Sequence, residues 1–154
     1  MLLKERRVRI MKATDIMVGD WVMNPFQVDT CESPYAKIDS IGGERVTFLL
    51  DGFVKITGSE KDLNPIPLTP EMLESNGFER DVAEEQKYSS ILGESFRGFY
   101  KIPSIPKKYI GFNLEDWGGV YTITDHQMMR IENVHELQHA LKICGIKEEI
   151  QLWS

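Results

Sequence analysis

Two histidines and a glutamate within one helical turn, His135-Glu136-Leu137-Gln138-His139, form the one string in this sequence whose residue types and spacing could run a reaction. It matches H-E-x-x-H, in which imidazoles at i and i+4 of a helix hold a zinc ion and the glutamate takes a proton from the metal-bound water. The chemistry would be zinc-dependent hydrolysis, so the surroundings of the string decide whether the chain reads as an enzyme.

The element that must position these residues is the clearest helix in the chain. Asn133 can serve as its N-cap, and Gly145 as the left-handed residue just past its end. At about 100° per residue, Val134, Leu137, Ala140, Leu141 and Cys144 fall within an arc of roughly 120°, the stripe that an amphipathic helix buries. His135 and His139 lie on the opposite side, with Ile143 as the apolar residue nearest them. That side is expected to be a solvated polar face, whereas a hydrolase needs it to look into a covered cleft.

A catalytic zinc takes three protein ligands and leaves one position to water. The extended metzincin pattern needs Gly at 142 and His at 145, where this chain has Lys142 and Gly145. A glutamate on a later helix has too little chain to sit on, and His126, Asp125 or Cys144 have no spacing to recommend them. The match therefore reads as accidental. No catalytic, cofactor-binding or metal residue is assigned and no cofactor is expected, so the reading leans away from an enzyme and keeps the zinc hydrolase as an alternative.

At 154 residues, with 42% hydrophobic and 27% charged, the chain can bury a core as one domain or two very small ones. It contains no apolar run of membrane-spanning length and no secretory leader, so no membrane association and a cytoplasmic address are expected. Cys31 and Cys144 are far apart without metal or redox spacing and are read as reduced thiols. Lys4, Arg6, Arg7 and Arg9 against Glu5 give residues 1–10 a charge of +3, which leaves −9 on residues 11–154 out of the total of −6. That acidic body argues against gripping nucleic acid by charge, although a nucleic-acid accessory protein stays as a second alternative. Met11-Lys-Ala-Thr-Asp reads as a natural start, and residues 1–10 as a disordered basic tail or an untranslated extension.

From Met11 onward the signals are β. Val18-Gly-Asp-Trp-Val22 enters a strand, Tyr35–Ile41 follows, Gly42-Gly43 turns into Arg45–Leu50, and Asp51-Gly52 turns into Phe53–Thr57. So small a meander buries its apolar face most economically by curling into an SH3-like barrel, expected over residues 11–58. Residues 59–70, rich in proline, read as a linker. Thr69 as N-cap with Pro70 at the first helical position opens a short helix that Asn76-Gly77 ends. Residues 71–154 form an α+β module with strands expected at Gln86–Ser90, Phe96–Ile102, Lys107–Leu114 and Gly119–Thr124. The C-terminal helix covers one face, and Ile146, Glu148, Ile150 and Leu152 alternate as a last edge strand. Tyr88, Phe96, Phe99, Tyr100, Tyr109, Phe112, Trp117 and Tyr121 could stack on bases but are expected mainly in the core. The fold class is therefore α+β: a small SH3-like barrel or curled meander, then an antiparallel sheet packed with a short helix and a C-terminal helix.

Three stretches also carry a resemblance: Gly19-Asp20-Trp21-Val22 near the start, Pro65-Ile-Pro-Leu-Thr-Pro-Glu-Met-Leu-Glu-Ser-Asn-Gly-Phe78 in the middle, and Val134-His-Glu-Leu-Gln-His-Ala-Leu141 near the end. Together they resemble a family of small uncharacterised proteins common in mobile elements and prophages of gut bacteria, over nearly the whole chain from Met11. In that family the last helix reads Val-His-Gln-Leu-Gln, with Gln at the place of Glu136 and no dependable second histidine. The resemblance thus implies that the zinc pattern is private to this chain, and it implies no activity, cofactor or binding residue. The expectation that follows is a non-enzymatic interaction or accessory protein of a mobile element or prophage, with an unknown protein partner.

Overall fold

The computed structural model describes residues 11–83, 86–87, 90, 96–101, 108–113, 118–122, 127–143, 145–147 and 149–152, and of residues 96–99, 108–113, 118–122 and 127–130 the backbone. The basic segment 1–10 therefore lies outside the described residues. The architecture is α+β, in two compact units whose boundary falls between Pro65 and Ile66.

In the first unit β1 (Trp21–Met23), β2 (Tyr35–Gly42), β3 (Arg45–Leu50) and β4 (Val54–Ser59) form an antiparallel meander in the order β1-β2-β3-β4. Period-2 alternation sends Val22, Ala36, Ile38, Val46, Phe48 and Leu50 to one face, none more than 1% exposed. Met11, Ala13, Ile16 and Leu63 complete this core, and the Phe26 ring meets Phe48 edge-on at 5.2 Å. Each buried Val, Leu, Ile, Phe or Met side chain among them contributes about 1.5–3 kcal/mol of apolar transfer, which makes this face the main source of the unit's stability. A register shift between Ile38 and Ser40 marks Asp39 as a bulge, after which Ile41 returns to the core side opposite Val46. The β3–β4 turn places Asp51 at φ 50° and Gly52 at φ 81°. The Asp51 carboxylate then receives the backbone N–H groups of Glu32 (3.0 Å) and Ser33 (3.2 Å), which ties down the loop between β1 and β2. Phe53, expected to open β4, lies in this turn 67% exposed.

The expected barrel does not close through strand pairing. Among the described residues β1 and β4 are not paired with each other, and the sheet is an open four-stranded one. The reason lies in β1: Pro25 has no N–H to offer, and the Asn24 side chain takes the Phe26 N–H (2.9 Å), so the strand stops after three residues. Its last residue is bridged instead by Met23 N–H to Asn64 C=O at 2.9 Å, just past a 3₁₀ turn at Glu60–Asp62.

The stretch read as a linker is structured. Ser59 ends β4, Leu63 is in the first core, and Glu60 Oε1 accepts from Ala13 N–H at 2.8 Å. On the other side of the boundary Ile66 is 1% exposed and Leu68 N–H bonds Glu132 C=O at 3.0 Å.

The second unit opens with α1 (Pro70–Ser75), capped as expected by Thr69, whose Oγ1 accepts from Met72 N–H at 3.3 Å. Then β5 (Glu79–Arg80), β6 (Phe96–Lys101), β7 (Lys108–Asn113), β8 (Gly118–Thr122) and β9 (Gln127–Ile131) form a second antiparallel meander in sequence order. The chain continues into α2 (Val134–Ile143), which contacts β9. Val134, Leu137, Ala140 and Leu141 are buried, as the helical stripe requires, and Cys144 lies outside the described residues. Two expectations fail here. Gln86, Lys87 and Ser90 are helical, not extended, in a segment whose alternation is too short to outweigh its helix-compatible Glu, Gln and Lys. Ile146, Ile150 and Leu152 are buried without forming a strand, and Gln151, between the last two, bonds Asn76 at the end of α1. Of the aromatic residues, Tyr100 is a core residue at 3% exposure, while Tyr88 and Trp117 and the side chains of Phe96, Phe99, Tyr109, Phe112 and Tyr121 lie outside the described residues.

Candidate functional site

Glu136, the general base of the hydrolase reading, serves the helix terminus. Its Oε1 accepts from the backbone N–H of Asn133 at 3.1 Å and from Asn133 Nδ2 at 2.8 Å. A glutamate at the third helical position reaching back to the N-cap N–H is one half of a capping box, and its charge in the first turn also suits the helix dipole. The sequence Asn133-Val-His-Glu136 carries this signature as plainly as it carries the zinc one.

The histidines depart from the expected solvated face. His135 is buried, at 7% exposure, and His139 is half-buried. A helical wheel gives the angle around the axis but not what stands beside a given turn. The first turn of α2 emerges from a short antiparallel pairing in which Leu68 N–H meets Glu132 C=O, Pro67 lies opposite Asn133, and Val134 N–H meets Ile66 C=O at 2.9 Å. His135 belongs to this enclosed turn, and His139 lies one turn beyond it. Their rings pack edge to face, with centroids 5.7 Å apart and planes at 79°. Two imidazoles in reach of each other could supply two ligands. Among the described residues, however, no group of three His, Cys, Asp or Glu side chains could hold a metal. His126, Asp125 and Cys144, the third ligands considered, lie outside the described residues. Glu136, which the hydrolase reading needs as its base, is engaged instead by the helix cap.

A second candidate is the outer face of the first sheet. The alternation that buries one face turns Trp21, Met23, Tyr35, Lys37, Leu49 and Lys55 to the other, and Trp21, Lys37, Leu49 and Lys55 stand in one cross-strand row. The Lys37 ammonium lies 5.0 Å from the centroid of the Trp21 ring, a cation–π distance, and Lys55 pairs with Asp39 at 3.3 Å. Asp39 is the one acidic residue within β1–β4, against Lys37, Arg45 and Lys55. The unit's other carboxylates sit in turns and loops, apart from Asp20, which is buried and holds the Val18-Gly19 turn through Met17 N–H to Asp20 Oδ2 at 2.8 Å. The Gly19-Asp20-Trp21-Val22 motif is thus a turn-and-strand device: Gly19 takes φ 94°, Asp20 closes the turn, Val22 fills the core and Trp21 faces outward.

In class, the chain is an α+β protein of two consecutive antiparallel meanders. No protein-family model, curated protein or solved structure matches it. The sequence reading missed the basic outer face, although the signal was present: Lys37 stands between Ala36 and Ile38, and Arg45 beside Val46.

Proposed function

We propose that this chain is a non-enzymatic interaction protein of the cytoplasm, of the kind of mobile-element accessory protein that its sequence resembles, and that it docks a protein partner on the outer face of the first sheet. The observation that carries this reading is the segregation of charge: three cations and one anion on the face of a sheet whose surrounding turns are acidic. Large half-buried side chains at Trp21, Met23, Tyr35 and Leu49 supply apolar contact area between those charges. A relation to SH3-like barrels, which more often bind than catalyse, supports the same reading. The four-stranded meander is followed by a 3₁₀ turn and then a segment that bonds back to β1 through Asn64 and Met23. No helix among the described residues is long and apolar enough to cross a membrane, consistent with a partner met away from the bilayer.

The partner face should be complementary, carrying carboxylates around an apolar centre. The test is cross-linking and affinity capture in the native host, comparing the wild type with Lys37→Glu/Lys55→Glu. A specific protein that is captured by the wild type and lost with the double variant supports the proposal. Capture that is indifferent to both substitutions overturns it.

A further inference from the structure

Asn76 lies at the end of α1, is followed by Gly77, and grips the C-terminal segment like a strand partner. Its Oδ1 accepts from Gln151 N–H at 2.7 Å, and its Nδ2 donates to Gln151 C=O at 3.0 Å and to Met72 C=O at 2.7 Å. Ile146, Ile150 and Leu152 anchor the same segment, each 4–6% exposed. An asparagine followed by glycine is the sequence most prone to deamidation, because glycine offers no side chain to hinder attack by its own backbone nitrogen. In the folded protein that attack is blocked twice. Asn76 ψ is 15°, which swings Gly77 N toward the Asn76 backbone nitrogen and away from the side chain, and Gly77 N–H is bonded to Glu74 C=O at 3.1 Å. The Asn76 side chain itself is held by Gln151.

We propose that Asn76-Gly77 is a modification site kept latent by the C-terminal segment and that its deamidation releases that segment irreversibly. When the segment lifts, the side-chain amide is freed and the turn can rotate. Gly77 N, losing its proton to hydroxide, bonds to Asn76 Cγ, and the Cγ–Nδ2 bond breaks to expel ammonia. Water then opens the cyclic imide at either carbonyl, leaving aspartate or isoaspartate, so the net change is amide plus water to acid plus ammonia. The new carboxylate has no N–H to give. At position 76 it would face the carbonyl oxygens of Met72 and Gln151 at the distances where Nδ2 now donates, so attraction becomes repulsion and the grip does not re-form.

The test incubates the full-length wild type, Leu152→Ala and Gln151→Pro at mildly alkaline pH, alongside a synthetic peptide with the sequence of residues 70–82. Peptide mapping and enzymatic isoaspartate methylation report conversion at position 76. Gln151→Pro removes the N–H that Asn76 Oδ1 accepts and leaves Leu152 in place, so it keeps the test decisive if loss of the Leu152 anchor unfolds the protein. The wild type should react more slowly than the peptide. Each folded variant should react at least about tenfold faster than the wild type, the equivalent of about 1.4 kcal/mol less free energy for local opening. Asn76→Asp should be cut faster by trypsin at Lys147 while the near-ultraviolet spectrum of the core persists. Equal rates in the wild type and the folded variants, or a wild type as reactive as the peptide, would overturn the proposal.

Discussion

Replacing Glu136 by alanine separates a helix cap from a catalytic base, because the two roles give opposite patterns across conservative and non-conservative substitutions. In the structure the carboxylate receives two N–H groups from Asn133, one backbone and one side chain, in a half-buried setting. Loss of an N-terminal cap costs about 0.5–2 kcal/mol, and loss of a first-turn negative charge about 0.3–1 kcal/mol. Glu136→Ala should therefore destabilise by about 1–2.5 kcal/mol. Glu136→Gln keeps an acceptor in place and forfeits only the charge, so its cost should stay below about 1 kcal/mol. Urea denaturation followed by circular dichroism reads both values from shifted midpoints at constant slope. Peptide hydrolysis and zinc content, measured after purification without added metal, complete the comparison. The reasoning is refuted if Glu136→Ala is as stable as the wild type. It is also refuted if the protein carries stoichiometric zinc that departs with His139→Ala and a hydrolytic activity that Glu136→Gln abolishes.

Leu137→Ala and Leu141→Ala should each cost about 2–5 kcal/mol, since both side chains are buried in the α2 stripe. By the same measurement the buried His135 should cost more on replacement by alanine than the half-buried His139, about 1–3 kcal/mol against less than about 1 kcal/mol. Burial, followed by the neighbouring Glu74 carboxylate, which its hydroxyl contacts at 3.4 Å, raises the Tyr100 pKa above its ordinary 10.0. The folded state therefore holds the phenol proton more tightly than the unfolded state. That contribution is fully present below about pH 10 and is lost as pH rises through the elevated folded value, so denaturation midpoints should fall on that limb and Tyr100→Phe should remove this part of the slope. Random duplex DNA and single strands should not be retained at physiological salt, because residues 11–154 carry −9. Micromolar binding in a filter assay, weakening steeply with added salt, would instead make the basic outer face a nucleic-acid surface.

What the sequence determined by itself was whatever depends on neighbours within a few residues. The alternation of Val46, Phe48 and Leu50, the Asp51-Gly52 turn, the Thr69-Pro70 helix start and the Val134-Leu137-Leu141 stripe all stand where they were expected, because period, turn chemistry and capping are local. The α+β class follows from them. Only the tertiary structure decided matters that join distant parts of the chain. Chain 66–68 runs beside residues 132–134, where the α2 terminus holding His135 and Glu136 is built. Asn76 reaches Gln151 across 75 positions, and Ile146, Ile150 and Leu152 beside it are buried without a strand. Met23 meets Asn64, not a full strand, at the edge of β1, which the local Asn24-Pro25 turn has already cut short. The same limit explains the candidate sites. His135-Glu136-Leu137-Gln138-His139 reads as zinc chemistry because a motif records spacing; the cap that Glu136 makes with Asn133 is local and legible beside it, while the enclosure of His135 is a property of how α2 enters its unit. The basic outer face was missed for the complementary reason: alternation marks Lys37 and Arg45 as facing away from the core one at a time, but cross-strand register is what gathers them with Lys55 on one surface.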